Sequence, residues 1–469
     1  MTQAPHLAPP EPPLPARPEP PRRTAWSEGV AQLRATAVTE PGRLRVIGAL
    51  LAAALVAFGA VTAGQVAQRA SAADAVIHGS QPLSVDAAEI YRSLADANTT
   101  AASGFLAGGQ EPRQVRDRYE RAVRTAARLI TRAAGSGGGS PSARRELRTL
   151  NERLPVYTGL VEAARANNRQ GLPIGGAYLR YADERMREEL LPAARRLYAA
   201  ESARYRADHA EASAWPWQAL ALGGLVLGAL VWAQRRHYLR TNRVFNRGLL
   251  AATGAALVLL VWLAAGHGVA RGQLAAAEDH GARSLHTLNE ALAAALEARG
   301  DEGMTLVARG GGAGYEETYR ESMARLAGGA TDGEPDGSAA GRAADGGGLL
   351  ARALRLADDD AGRAPVRGAL RDVREWHERH AEVRELDNTG AYGDAVAKVI
   401  GRSGTTGETF DRVDAALREA IGHEQDQFTR SAKSGRAASD GLPAGAGALA
   451  LAGAAGAVTG IGRRLAEYR

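Results

Sequence analysis

Four stretches of this chain are long, apolar and uncharged, and they limit every other reading of it. They run from Val46 to Val66, Trp215 to Ala233, Gly248 to Gly266 and Leu442 to Ile461. Each is close to the ~20 residues an α-helix needs to cross a ~30 Å hydrocarbon core. None contains Asp, Glu, Lys, Arg or His. A backbone in lipid must satisfy its own hydrogen bonds, so these runs are expected to be transmembrane helices. Trp217, Trp232 and Trp262 stand near their ends, as interfacial anchors do. The fourth run is mostly Ala and Gly and is the least apolar.

Arginine sets the expected orientation. Arg34, Arg43 and Arg45 precede the first run, and Arg463, Arg464 and Arg469 follow the last. The short loop between the second and third runs, 234–247, holds Arg235, Arg236, Arg240, Arg243 and Arg247 with no acid. Short basic flanks stay in the cytoplasm. Both termini and this loop are therefore expected inside a multi-pass cell-membrane protein, with 67–214 and 267–441 outside. About 45 residues precede the first run, which favours an uncleaved anchor over a signal peptide. The net charge of +6 does not indicate nucleic acid, because the arginines sit at helix ends and form no single basic face.

The remaining segments read as helix throughout. Residues 1–23 are Pro-rich and cannot bury a core. Residues 24–45 carry Trp26, Val30, Leu33 and Val38 at helical spacing, a short amphipathic juxtamembrane segment. In 67–214, helices are expected over Asp86–Leu106, Gln114–Ala134, Ala143–Asn168 and Pro173–Ala212, a bundle joined by short turns. In 267–441 they are expected over Val269–Arg299, Gly314–Leu326, Leu349–Asp358, Val366–Asp387, Tyr392–Ile400 and Thr406–Ser434. The Gly/Asp-rich stretch 328–348 interrupts this second bundle and reads as a disordered loop. The two segments also repeat. Tyr157 to Gly171 (YTGLVEAARANNRQG) and Trp376 to Gly390 (WHERHAEVRELDNTG) both open on an aromatic and reach an Asn-containing turn and a Gly at the same spacing. Duplication of one module is the economical explanation. The fold class is all-α: four transmembrane helices carrying two extracytoplasmic helical bundles, followed by a cytosolic tail at 462–469.

No catalytic or metal-binding set emerges. The chain has no Cys, hence no disulfide, thiolate zinc site or Cys nucleophile. His377 and His380 are spaced i, i+3, lack a third ligand, and are expected to be solvated surface residues. Asp358, Asp359 and Asp360 lack the alternating ligands and closing Glu of a calcium loop and read as a helix-end cluster. The Gly-rich runs lack the Lys-Ser/Thr of a phosphate cradle. No cofactor is expected, and no enzymatic activity. The absence of charge in the spans weighs against ion or proton transport. Gly224 with Gly228, Gly456 with Gly460, and Gly48 with Ala52 have the spacing that lets membrane helices approach closely.

Two resemblances add to this. Stretches such as YRSLADANTTAASGFL (91–106) and YERAVRTAARLI (119–130) resemble the helix-bundle ligand-binding domains of bacterial chemoreceptors and sensor kinases. The whole layout is similar to the GlnX family of actinobacterial membrane proteins. That resemblance implies a relay between a periplasmic amino-acid-binding protein outside and a soluble Ser/Thr kinase of the PknG type inside. The loop at 234–247 and the tail are too short to hold a signalling domain, since a soluble domain needs at least ~40 residues. The expected function is non-enzymatic signal relay that depends on partners on both sides of the lipid bilayer, with a homo-oligomer also possible. A cell-envelope scaffold and a transport-associated subunit are the alternatives.

Overall fold

The computed structural model describes residues 40–136, 139–241, 246–276, 281–328, 347–401, 403–437 and 441–466. Segment 1–23, most of 24–45, most of 328–348, residues 242–245 of the Arg-rich loop and the last three residues of the tail lie outside the described residues. What is described is helical, with no strand among the described residues, and four helices are long and apolar enough to cross a membrane. The chain is all-α, as its hydropathy pattern requires.

Two units are distinguished. The apolar unit comprises residues up to Ala60, Ala221–Leu260 and Ala446 onward; the helical body comprises Val61–Leu220 and Val261–Gly445. Four helices contribute to the apolar unit: α1 (Glu40–Ala75), α7 (Trp217–Thr241), α8 (Arg247–Ala276) and α15 (Leu442–Ala466). Small residues set their packing. A Cβ on Gly248 would lie 2.4 Å from both the Gly456 carbonyl oxygen and the Gly460 Cα, so α8 and α15 meet backbone to backbone. Gly456 and Gly460 thus act as their spacing suggested. Gly224 and Gly228 do not, since nothing stands within 4 Å of either; it is Gly223 that faces Phe58 and Leu260. Asn246 adds a polar clasp, its side-chain amide donating to the Gly460 carbonyl at 2.9 Å.

The body contains α2 (Gln81–Leu106), α3 (Arg113–Gly135), α4 (Pro141–Arg169), α5 (Ile174–Arg185) and α6 (Leu191–Ser213) from its first half. Its second half supplies α9 (Arg283–Val307), α10 (Ala313–Ala327), α11 (Leu349–Leu356), α12 (Asp360–Asn388), α13 (Tyr392–Ile400) and α14 (Thr406–Ala437). The chain runs as one helix from α1 into α2 in spite of Pro82. The reason is a π turn at Val76–Ser80, two residues ahead of Pro82; a second, at Met186–Leu190, stands two residues ahead of Pro192 between α5 and α6. Proline lacks an N–H and its ring collides with the carbonyl one turn back; the extra residue of a π turn relieves both problems without ending the helix.

The halves are built alike. Helices α4 and α12 are each 29 residues long. Each is N-capped by a side chain that accepts from the amide three residues on: Ala143 N–H to Ser140 Oγ at 3.1 Å, and Gly362 N–H to Asp359 Oδ1 at 2.7 Å. Each ends two residues before a left-handed glycine, Gly171 (φ 68°) or Gly390 (φ 86°), where a side chain would be strained. Tyr157 and Trp376 occupy matching places in them and are both fully buried. Helices α2 and α9 end on matching C-caps, Ala107 and Ala308. The register differs by 201 positions there (107 to 308) and by 219 at α4 and α12 (140 to 359), so an insertion lies between α10 and α12. That insertion of 18 residues (219 less 201) is taken up by the Gly/Asp-rich stretch, and α11, at the offset of 219, falls in register with the C-terminal turns of α3.

One hydrophobic cluster runs through both halves, from Ala87 to Leu197 and on from Leu288 to Ile421. Its centre is the crossing of α2 and α9, helices buried on nearly every side. They approach closely because they carry small residues at the crossing. A Cβ on Gly303 would sit 3.1 Å from the Ala102 Cβ, and Thr99 Oγ1 donates to the Leu296 carbonyl at 3.0 Å. Ala102 and Gly303 each lie five residues before their C-cap, so equivalent positions face each other, as across a local two-fold axis. Arg118 of α3 also ties the halves, reaching Asp96 at 2.9 Å and Asp411 of α14 at 2.7 Å.

Candidate functional site

The N-terminal parts of α2 and α9 diverge from their crossing and leave a cavity of about 950 Å³. Helices α6 and α14 close it on either side, and α11 borders it as well. Its walls keep the register of the repeat: Gln81 and Ala282, Ser84 and Leu285, Val85 and His286, Ala88 and Asn289, and Arg92 and Ala293 all line it in equivalent pairs. The volume lies within the range typical of sites for small organic molecules.

The lining is part apolar and part cationic. Tyr198 stacks on His286 with ring centroids 5.5 Å apart, and its hydroxyl is 2.7 Å from His286 Nδ1. Burial pushes the Tyr198 phenol up to about 12. Tyr205 meets Phe428 edge-on at 6.0 Å. Six arginines border the space (Arg92, Arg195, Arg206, Arg283, Arg325 and Arg352) against two carboxylates, Glu290 and Glu297. Both acids are occupied. Glu297 accepts from the Tyr91 hydroxyl, from Arg195 at 2.9 Å and from Arg325 at 2.5 Å. Glu290 lies 3.3 Å from His286 Nε2, and that hydrogen bond holds its carboxyl below the usual value. Arg92 is paired with Glu89. Among the described residues, the buried Asn289 Oδ1 has no hydrogen-bond partner.

A second polar cluster lies within the core. His380 is buried, not solvated as its sequence context suggested. It lies one turn beyond Trp376 on the inward face of α12, where Glu302 of α9 and Glu316 of α10 meet it. His380 Nδ1 is 3.0 Å from Glu302 and Nε2 is 3.1 Å from Glu316. Glu302 also receives Arg299 and, at 3.3 Å, the Trp376 indole N–H. Burial disfavours the His380 cation, but hydrogen bonds and charge from Glu302 and Glu316 outweigh it and raise its pKa above the ordinary value. In the same way the burial of Glu302 is outweighed by Arg299 and His380, which lower its pKa. This cluster ties α9, α10 and α12 together. Asp359, of the acidic run, caps α12 and pairs with His423 at 3.0 Å. Among the described residues, no three His, Asp or Glu side chains converge as metal ligands.

Neither the cavity nor the cluster was anticipated from the sequence. The one available signal was the duplication, which puts equivalent helices on either side of a shared space.

Residues 72–210 match the family model of the actinobacterial sensor domain. No curated protein and no solved structure matches the chain. The matched segment covers the first half of the body, from the end of α1 through most of α6. Together with the four apolar helices, this match supports a sensor membrane protein. The actinobacterial character expected from the overall layout agrees with the match.

Proposed function

We propose that the chain is a non-enzymatic transmembrane sensor that binds a solute in the cavity between its two halves and relays occupancy to a cytosolic effector. The observation that carries this reading is the continuity of α1 into α2: one helix supplies both an apolar crossing segment and a wall of the cavity. A ligand that draws α2 and α9 together would bias two arrangements of the body, and a helix without a break can transmit such a bias. In this reading the body faces outside and both termini lie inside, in keeping with the distribution of arginine. The similarity to the GlnX layout suggests amino-acid sensing, directly or through a solute-binding protein, and a Ser/Thr kinase as the effector.

The absence of Cys makes the test direct. Spin labels on cysteines placed at the exposed positions Ala203 and Glu419 would report the separation of α6 and α14 in the full chain in nanodiscs. The expected result is a shifted distance distribution with at least one class among organic anions, cations, zwitterions and neutral solutes. No shift with any class would overturn the sensor reading. Orientation is tested separately by impermeant labelling in cells: cysteines at Ser140 and Asp336 should label from outside and one at Thr241 should not.

A further inference from the structure

We infer that the cavity takes an organic anion, a carboxylate or phosphate ester on an apolar or aromatic body, and that Arg206 and Arg352 hold its charge. The assignment rests on the sensor reading above and goes further by naming the ligand class. Among the described residues, arginine exceeds carboxylate around this space, and two of the arginines are not cancelled by the two acids of the wall. Glu297 is shared by Arg195 and Arg325, and Arg92 has Glu89. Among the described residues, Arg206 donates only to the Ser202 backbone carbonyl, at 3.4 Å. Arg352, on α11, is in no ion pair among the described residues and influences Glu290 only through space. Two guanidinium groups thus border a concave space with donors to spare, the arrangement that recognises carboxylate and phosphate.

The rest of the wall sets the body of the ligand. Leu285, Leu349, Ile421 and Phe428 are apolar, and Tyr198 and Tyr205 offer ring faces and edges. A bare inorganic ion would leave this surface uncovered. The unpartnered Asn289 Oδ1 adds one acceptor, suited to a hydroxyl or N–H on the ligand body. Helix α11, which follows the insertion, brings Arg352 and Leu349 to the site.

The test is titration calorimetry on the full chain in nanodiscs with phenylacetate and phenyl phosphate. The controls are phenylacetamide, phenethylamine, inorganic phosphate and a short-chain phosphatidic acid. At least one of the two organic anions should bind, tenfold or more tighter than the neutral and cationic isosteres, and more weakly as salt rises. The double variant Arg206→Gln/Arg352→Gln should lose at least tenfold in affinity with its melting temperature unchanged. Restoring charge with Arg206→Lys/Arg352→Lys should recover part of the loss. Preference for phenylacetamide or phenethylamine, binding of inorganic phosphate alone or of the lipid alone, or binding that survives the double Gln variant would each overturn the proposal. If no organic anion binds while another solute class shifts the spin-label distance, the ligand class falls and the sensor reading stands. If no class shifts that distance, the sensor reading itself falls.

Discussion

Replacing Arg299 with Met should destabilise the body, and by more at high pH than at low. Arg299 is buried on α9, where its guanidinium meets the Glu302 carboxylate and donates to Thr406 Oγ1 at 2.9 Å and to the Val399 carbonyl at 3.1 Å. Met fills similar volume without charge, so Glu302 keeps only His380 and the Trp376 N–H as partners. Removing one member of a buried pair costs about 3–5 kcal/mol. The lower figure applies while His380 is protonated. As pH rises through the raised His380 pKa, the second cation is lost too and the cost should move toward the upper figure. Unfolding entropy near 2.1 cal/mol/K per residue, over the 345 residues of the body, gives about 0.7 kcal/mol/K, so the melting temperature should fall by about 4–7 °C. The measurement is thermal unfolding of the full chain in detergent at pH 6 and pH 9. Arg299→Met combined with Glu302→Gln should lose clearly less than the two single variants added together. A shift under about 1 °C, or the same penalty at both pH values, would show that Glu302 is not held as a buried anion by these two cations.

Three further outcomes follow from the same geometry. His380→Gln should cost stability mainly in acid: the folded pKa is raised, so this histidine's contribution is fully present below its ordinary pKa of ~6.5 and fades as pH rises through the folded value. Equal losses at pH 5.5 and pH 9 in thermal unfolding would contradict this. Glu424 is buried in α14 and its carboxyl is pushed up to about 7 by that burial, so folding is penalised once it ionises. Glu424→Gln should therefore raise stability above pH 7 by about 1–2 kcal/mol, after allowance for solvent screening, with little gain below pH 4.5; a gain independent of pH would refute the cause. In the apolar unit, Gly248→Leu should abolish a stable fold, because its Cβ would strike backbone atoms of α15, whereas Gly224→Leu should be tolerated. Similar yield and melting temperature for the two purified variants would argue against the α8–α15 crossing.

The spans, the helical class and most helix limits could be read from the chain, because lipid-crossing length and the 3.6-residue period are local properties. The 29-residue α4 and α12 show as much: a cap, an aromatic and a turn glycine at fixed spacing mark both. The shared core could not be read in the same way. Residues 93–104 of α2 are Ser, Ala, Asp, Asn, Thr, Gly and one Leu, a composition that resembles a solvated helix. They are buried because α9 brings small residues to the same crossing, and that complementarity spans some two hundred positions. His380 misleads for a related reason: its partners come from two other helices, and an i, i+3 pair of histidines gives no hint of them. The π turns were missed because proline ordinarily marks a helix boundary, and here one extra residue per turn removes the conflict.

The repeat also has a consequence for what the cavity can distinguish. A pocket on the axis of two identical halves reads the same from either end and can only suit a ligand that is itself symmetric, or one that binds in two equivalent poses. Here the paired positions have drifted apart: Ser84 is matched by Leu285, Val85 by His286, Ala88 by Asn289, and Arg92 by Ala293. Joining the halves in one polypeptide allowed each wall to change independently. What would be a palindrome in a homodimer has become a word with a direction, and a ligand with a head and a tail has one way to lie in it.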